Sequence, residues 1–545
     1  MAGVDLFSSF SATDMMDRPD IIFIVLDTQR ADRLGCYGHE KAITPNLDQF
    51  AKEGVLFEQA VAPAQWTVPS HGSLFTGLYP TAHQLIQAHQ SLPPDQPHLA
   101  EILKKSGYET VGFCNNPLVG VLNNGLKRGF ATFYNYGGAI PSTPKDSSSL
   151  PRPFNKLAEG YTQFLRRISY PIQNFFGQSD LAFRISINAF LTPIWSRFAN
   201  FKGQNPRSVK DVAHYLHERD KKETDKPLFL FLNLMETHLP FWPAGEFIDK
   251  VAPYMSENKE ARDTMRRWNR EAYRWAAPLA EPLGELEAQV LSDMYDAEVA
   301  YQDDYLGELF ATLKQRKNAE NTLTVIVGDH GDGLGEHGYM GHAFVAYEEL
   351  VHVPLITHWP KRMKQTQSAR ITTPVSTRRV FHTVLDASGR LPEMQNVDPV
   401  NIHGLTLLNS INGRDPENGV AYSEVYPPLT FVRAIENRQP ELLEQYKCLS
   451  VRKAVVRQHA DEHGDSTFKL IHLDEQPDEL FDLQNDPLEL EDMRQKRPLI
   501  TEALQQDHLR IASNVERQQQ TLSAGTEVEM DDQLAQRLRG LGYLD

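Results

Sequence analysis

Three short stretches carry side chains whose types and spacing suit chemistry. Asp27 directly follows the apolar run at residues 21–26, in LDTQRADRLGCYG. A carboxylate there is well placed for a hard cation, because open α/β sheets bind ligands at the carboxyl ends of their strands. Taken alone, Asp27 reads equally well as a turn or helix cap. Asp329 and His330 end a second apolar run, residues 323–328, and open the glycine-rich VGDHGDGLGEHGYMGH. Adjacent Asp and His can both face one ion where a strand gives way to a loop, and glycine lets backbone approach a ligand closely. His337 and His342 lie farther along that loop, where a lone histidine is more often solvated surface. The third stretch is AQWTVPSHGSLFTG, residues 64–77. Ser70, His71, Gly72 and Ser73 can begin a helix whose free N–H groups and positive end favour an anion. Thr67, just ahead of them, would present a hydroxyl to a bound oxyanion, or it is a plain N-cap.

The elements that must position these residues are legible as alternating patterns. Residues 21–26, 110–114, 228–234 and 323–328 are runs apolar on both faces, the mark of central strands covered by helices on both sides. Helical patterns at 44–53, 98–106 and 290–314 lie between them. The alternation predicts an α/β sandwich with a mostly parallel central sheet between helices over residues 20–385. Two stretches interrupt it. Residues 138–207 include the aromatic and basic FNKLAEGYTQFLRRISYPIQNFFG, and residues 245–285 are rich in Arg, Trp and Glu. Both read as insertions, the first as a lid or interface and the second as helical. Peripheral membrane contact through residues 150–200 is a weaker alternative, since Pro171 and Gly177 interrupt the pattern. Residues 386–505 read as a smaller C-terminal α+β subdomain with an antiparallel sheet, and 506–545 as a polar helical tail.

Composition narrows the partners. With 55 basic and 72 acidic side chains in 545 residues the formal charge is −17, which argues against a phosphate-backbone binder, so no nucleic-acid partner is expected. The apolar runs are strand-length, short of the about 18–20 residues a membrane span needs. No basic, apolar leader is visible, and Cys36, Cys114 and Cys448 form neither a disulfide framework nor a metal motif. The expectation is a cytoplasmic enzyme.

Taken together, these segments resemble the sulfatase branch of the alkaline phosphatase superfamily, over about residues 20–385 and again at DELFDLQNDPLELEDM, residues 478–493. The family's nucleophile arises in a C/S-x-P-S-R-x-x-x-x-T-G pattern whose first residue is oxidised to formylglycine. Here that pattern runs from Thr67 through Pro69, Ser70 and His71 to Thr76 and Gly77. The resemblance implies an alkaline-phosphatase-like fold, with Asp27, Asp329 and His330 at metal-ligand positions. It places His238, in METHLPFWPAG, at a substrate-site histidine, and His342 where many members carry a lysine. The departures are informative. Threonine has no CH2OH or CH2SH to become an aldehyde, so no formylglycine is expected. His71 replaces an arginine, Asn115 and Asn116 stand where basic residues are expected, and Thr28 replaces the second of two aspartates.

The activity these residues imply is hydrolysis of sulfuric or phosphoric esters with one divalent metal ion, held by Asp27, Thr67, Asp329 and His330. Mixed carboxylate and imidazole ligation suits Mn, Zn or Fe better than Ca. Thr67 is the expected nucleophile, since a sulfated formylglycine hydrate can eliminate and a threonine ester cannot; that favours phosphate esters. Few fixed cations favour a singly charged diester. His71, His238 or His342 would protonate the leaving oxygen or stabilise the anion, and Asn115, Asn116 and His238 would contact substrate. The substrate is expected to be a small-molecule or lipid-like anionic ester. Sulfate ester hydrolysis, a group-transfer or elimination enzyme on a lipid-like or carrier-bound substrate, and an inactive anion- or partner-binding homologue are the alternatives.

Overall fold

A computed structural model describes residues 18–137, 202, 204–222, 224–363, 368–389, 404–461, 464–474 and 476–527. The first insertion is expected at 138–207. Its residues 138–201, with the 150–200 stretch, fall outside the described residues, as does the end of the tail from 528.

Eight strands form the central sheet: β1 (Asp20–Leu26), β2 (Val55–Phe57), β3 (Glu109–Cys114), β4 (Thr132–Asn135), β5 (Leu228–Leu234), β6 (Thr322–Gly328), β7 (Leu355–His358) and β8 (Ala369–Ile371). Their order is β8-β2-β7-β6-β1-β5-β3-β4. Within it β6, β1, β5, β3 and β4 run parallel, as do β2 and β8, while β7 is antiparallel to both of its neighbours. The unbroken apolar runs follow from this position. Along β1, Ile21, Phe23 and Val25 enter one core, and Ile22, Ile24 and Leu26 enter the other. In β5, Phe229 and Phe231 face the first core, and Leu228, Leu230, Leu232 and Leu234 the second. A strand buried on both faces has no polar side to alternate with.

The helices that cover the sheet are α1 (Pro45–Glu53), α2 (Thr67–Thr76), α3 (Leu99–Lys105), α4 (Asn205–Lys221), α5 (Glu285–Gln315) and α6 (Arg379–Ala387). Helices α2, α3 and α6 send apolar side chains into the first core, and α1, α4 and α5 into the second. Residues 245–276 form helices at Gly245–Val251, Tyr254–Glu257 and Lys259–Arg270, followed by one 3-10 segment. None of the helices among the described residues is long and apolar enough to cross a membrane.

The C-terminal sheet is antiparallel, in the order β9 (Val420–Val425), β10 (Arg452–Asp461), β11 (Gly464–Leu473) and β12 (Glu479–Asp482). One face adds Ala421, Val425, Ala454, Val456, Ile471 and Phe481 to the first core. Its other face packs on Ile500, Leu504 and Val515 of α7 (Pro498–Thr521). That helix starts ahead of the tail boundary expected at 506, because its apolar residues cover the outer face of this sheet.

Helix α2 matters most, since Thr67 is its first residue. Phe75, near its other end, meets Phe231 at 5.1 Å between ring centroids, Phe23 at 6.3 Å and Phe130 at 6.1 Å, and stacks on His98 at 4.9 Å. Gly77 ends the helix at φ +74°, where a side chain would be strained, and donates to the Ser73 carbonyl. Phe75→Ala is expected to cost about 3–5 kcal/mol through the cavity it leaves. Denaturant unfolding measures this, and a loss below about 1 kcal/mol would mean that the ring is not a packing anchor.

Candidate active site

All of the candidate chemistry lies at the carboxyl ends of β1, β3, β5 and β6 and the start of α2. Asp27 is the first residue past β1, and Asp329 and His330 are the first past β6. The paired register of these two strands brings their ends side by side. One ligand atom from each of Asp27, Asp329 and His330 can be chosen so that all lie within 4.8 Å of one another.

Local backbone is bent to achieve this. Thr28 sits at φ +57°, a strained value for a β-branched residue. Its amide donates to Asp329 Oδ1 at 3.2 Å, and its carbonyl accepts from the Tyr295 hydroxyl at 2.6 Å. Gly331 follows His330 where a Cβ would fall 2.0 Å from the Glu349 carbonyl oxygen, so only glycine lets the loop pass. The loop is tied to the C-terminal subdomain as well. His337 Nε2 lies 3.1 Å from the Leu488 carbonyl and 3.3 Å from that of Glu489, both within residues 478–493.

The hydroxyl of Thr67 points into this group. Trp66 is the N-cap, and Thr67 makes no capping bond. Its Oγ1 lies instead 3.3 Å from His330 Nε2 and accepts from Asn116 Nδ2 at 3.4 Å. The plain-cap alternative is therefore excluded. His330 Nδ1 is 2.8 Å from the Gly331 carbonyl, which can only accept, so Nε2 carries the lone pair turned towards Thr67 and the carboxylates. Asn116 Oδ1 caps the Leu118 amide at 2.8 Å, which leaves Nδ2 to donate to Asp27 Oδ2 at 2.6 Å.

The electrostatics fit a cation. Asp27 Oδ1 is buried without a hydrogen-bond partner, and Asp329 Oδ2 lies at 3.4 and 3.5 Å from nitrogens of His71 and His330, longer than a good hydrogen bond. Burial, then the charge of Asp329, pushes the Asp27 carboxyl well above its usual range. For Asp329, burial raises the pKa, but His330 and His71 together hold it below the usual value. Two buried carboxylates and an imidazole lone pair are a divalent-metal donor set, and a cation there would relieve the repulsion. His330 itself is depressed by burial to about 4, so it offers its lone pair near neutral pH.

Two more histidines face each other across the site. His342 Nδ1 contacts Asp332 Oδ1 at 2.9 Å, and its ring lies 5.3 Å from that of His238 and 4.7 Å from that of His330. Burial works against a charge on His342, but the Asp332 carboxylate outweighs it and the pKa rises. Burial, then the charge of His342, sends His238 well below its usual value. His238 Nδ1 lies 2.9 Å from the Leu239 carbonyl, so Nδ1 carries the proton and Nε2 is the unprotonated, accepting nitrogen.

Two expected substrate-side residues need correction. Asn115 is a strut: Nδ2 donates to Ser208 Oγ at 2.9 Å and to the Asn233 carbonyl at 2.8 Å, while Oδ1 accepts from the Gln204 amide. Neighbouring residues at a strand end point opposite ways, so only Asn116 of the pair faces the acidic group. His71 is likewise enclosed. Its Nδ1 lies 3.0 Å from the Thr67 carbonyl and 3.4 Å from Asp329 Oδ2, and its Nε2 lies 3.5 Å from Asn233 Nδ2. With both nitrogens engaged inside the protein, it braces Thr67 and Asp329 and has none left for a leaving group. Motif and spacing do not single out Asn233 or Asp332. Asn233 is the one polar residue inside LFLFLNL, a signal that sequence alone could have used.

Residues 19–390 match the sulfatase family model. The chain is 25% identical over 385 residues to the uncharacterized sulfatase YidJ of Escherichia coli strain K12, covering 66% of each. It is 22% identical to the arylsulfatase of Clostridium perfringens strain 13, covering 73% of this chain and 79% of that one. Among solved structures, the phosphonate monoester hydrolase of Agrobacterium radiobacter has a TM-score of 0.60 at 19% identity, over 91% of this chain and 96% of that one, a likeness of fold. With the greater part of its length matched, the chain belongs to the sulfatase family of ester hydrolases.

Proposed function

We propose that the protein is a metal-dependent phosphodiesterase with Thr67 as its nucleophile. The observation that carries this reading is the Thr67 hydroxyl, unneeded as a cap and 3.3 Å from the His330 nitrogen that completes the acidic group. Asp27, Asp329 and His330 would hold the divalent ion with the Thr67 oxygen beside them. When bound, the ion makes the threonine hydroxyl more acidic and neutralises charge on the substrate.

The chain's own residues then divide the work. Thr67 Oγ1, its proton released to solvent, attacks phosphorus in line, and the bond to the leaving oxygen breaks, giving a threonine phosphodiester. His342, charged through Asp332, donates the proton that the leaving oxygen takes up. His238, neutral with an unprotonated Nε2, takes a proton from the water that then hydrolyses the ester, releasing a phosphate monoester and the ionised Thr67. That proton then recharges His342, whose ring lies 5.3 Å away. Two adjacent histidines with pKa values pushed apart are a natural acid and base pair. Asn116 Nδ2 steadies both Asp27 and the attacking oxygen.

Diester preference is supported by the charges present. Among the described residues within hydrogen-bond reach of Thr67 Oγ1, none is a lysine or arginine. A singly charged diester needs less compensation than a dianionic monoester. Three free cysteines, two of them buried, support a reducing compartment such as the cytoplasm. The test is turnover of aryl phosphodiester, phosphate monoester and aryl sulfate by chelated and metal-restored enzyme. The reading expects metal-restored diester cleavage to exceed the other two by at least about tenfold, or 1.4 kcal/mol. Faster sulfate release would overturn it.

A further inference from the structure

The loop that carries His238, residues 236–242, leaves β5 and crosses the top of the site. A single buried side chain joins its two ends. Glu298, on α5, is wholly buried, and its Oε1 accepts from the Trp242 amide at 2.6 Å and from Lys202 Nζ at 2.6 Å. That same Lys202 Nζ donates to the Glu236 carbonyl at 2.8 Å. The start of the loop is therefore tied through Lys202, and its end directly, to one carboxylate oxygen.

Helix α5 also sets the other half of the site. Tyr295 lies one turn before Glu298, and its hydroxyl supports the Thr28 carbonyl at 2.6 Å. One rigid helix thus fixes the turn after Asp27 and the loop around His238 together. Other anchors among the described residues are local. Asn269 brackets Phe241 with bonds of 3.0 and 2.9 Å, and Thr237 Oγ1 donates to the Asp27 carbonyl at 2.7 Å. None of these spans the loop from end to end.

We infer that Glu298 is a positioning residue, clamping both ends of the 236–242 loop so that the Nε2 nitrogen of His238 meets the water that hydrolyses the Thr67 ester. This inference rests on the threonine-ester reading for its kinetic consequence, though not for the clamp itself. Glu298→Ala removes both tethers. Glu298→Gln keeps an acceptor for the Trp242 amide and weakens only the pull on Lys202. A graded loss, Ala worse than Gln, is the signature of the clamp.

Two readouts separate the parts. The first is the rate at which diethyl pyrocarbonate modifies His238, followed by peptide mapping, and it needs no activity. Released from its clamp, His238 should react about tenfold faster in Glu298→Ala, as expected for losing one or two buried hydrogen bonds, with Glu298→Gln between it and the parent. An unchanged rate in both variants overturns the clamp. The second is the burst of nitrophenolate from an aryl phosphodiester. Glu298→Ala should keep its burst amplitude while steady-state kcat falls about 100-fold, the range for losing a positioned general base. Burst and steady state falling in parallel would show a general loss of active enzyme and overturn the link to hydrolysis. Absence of any burst in the parent would instead sink the threonine-ester reading, with His238 labelling still deciding the clamp. If Glu298→Ala does not fold, Glu298→Gln and Lys202→Met carry the same comparison.

Discussion

Thr67→Ala is expected to lower kcat by about 10⁴ or more, the scale of other nucleophile deletions. The fold should barely notice. The hydroxyl makes no capping bond, so the about 1 kcal/mol that a true N-cap would lose is not at stake. Thr67→Ser keeps an oxygen in the same place and should retain substantial activity, losing only the methyl group that restricts the rotamer. Thr67→Cys tests the family relation from the other side. It restores a residue that formylglycine-generating machinery can oxidise, so coexpression with that machinery should raise aryl sulfatase turnover above the parent's. Parental turnover by Thr67→Ala would mean that another group or a water attacks, and that the threonine is structural.

Asp329→Ala should abolish both activity and metal binding. Its carboxylate is positioned by the Thr28 and His330 amides, at 3.2 and 2.9 Å, with Oδ2 3.4 Å from His71 Nδ1. Burial would still raise the Asp27 carboxyl, but removing Asp329 ends the repulsion that adds to it. The metal-free variant should therefore be about as stable as the metal-free parent, or slightly more so. The parent alone should gain stability on metal addition, by about 2.7 kcal/mol at a hundred times the dissociation constant. Elemental analysis and thermal unfolding with and without added Mn²⁺ or Zn²⁺ read both effects. One tightly bound equivalent retained by Asp329→Ala would remove it from the ligand set.

The parallel sheet was legible because burial on both faces leaves an unbroken apolar run, and Asp27, Asp329 and His330 were legible because polar residues end such runs. Asn115 was misread for a reason that composition cannot show: it and Asn116 lie at a strand end, where successive side chains point opposite ways. His71 occupies an arginine position of the family pattern, yet both of its nitrogens are spent on Thr67, Asp329 and Asn233. Asp332 and Glu298 stayed hidden because their roles arise from contacts with His342, Lys202 and Trp242, which chain order does not bring together. A buried glutamate in a long amphipathic helix reads simply as one more polar position. The insertion expected at 138–207 falls mostly outside the described residues.

The most direct measurement is rapid acid quench of the metal-loaded enzyme during turnover of an aryl phosphodiester, followed by peptide mass spectrometry. The peptide carrying Thr67 should gain the mass of the phosphoryl ester within the burst phase and lose it as substrate runs out. Thr67→Ser should show the same label on serine, and Thr67→Ala none. A burst of released phenol with an unmodified Thr67 peptide, or a label on any other residue, would contradict the account.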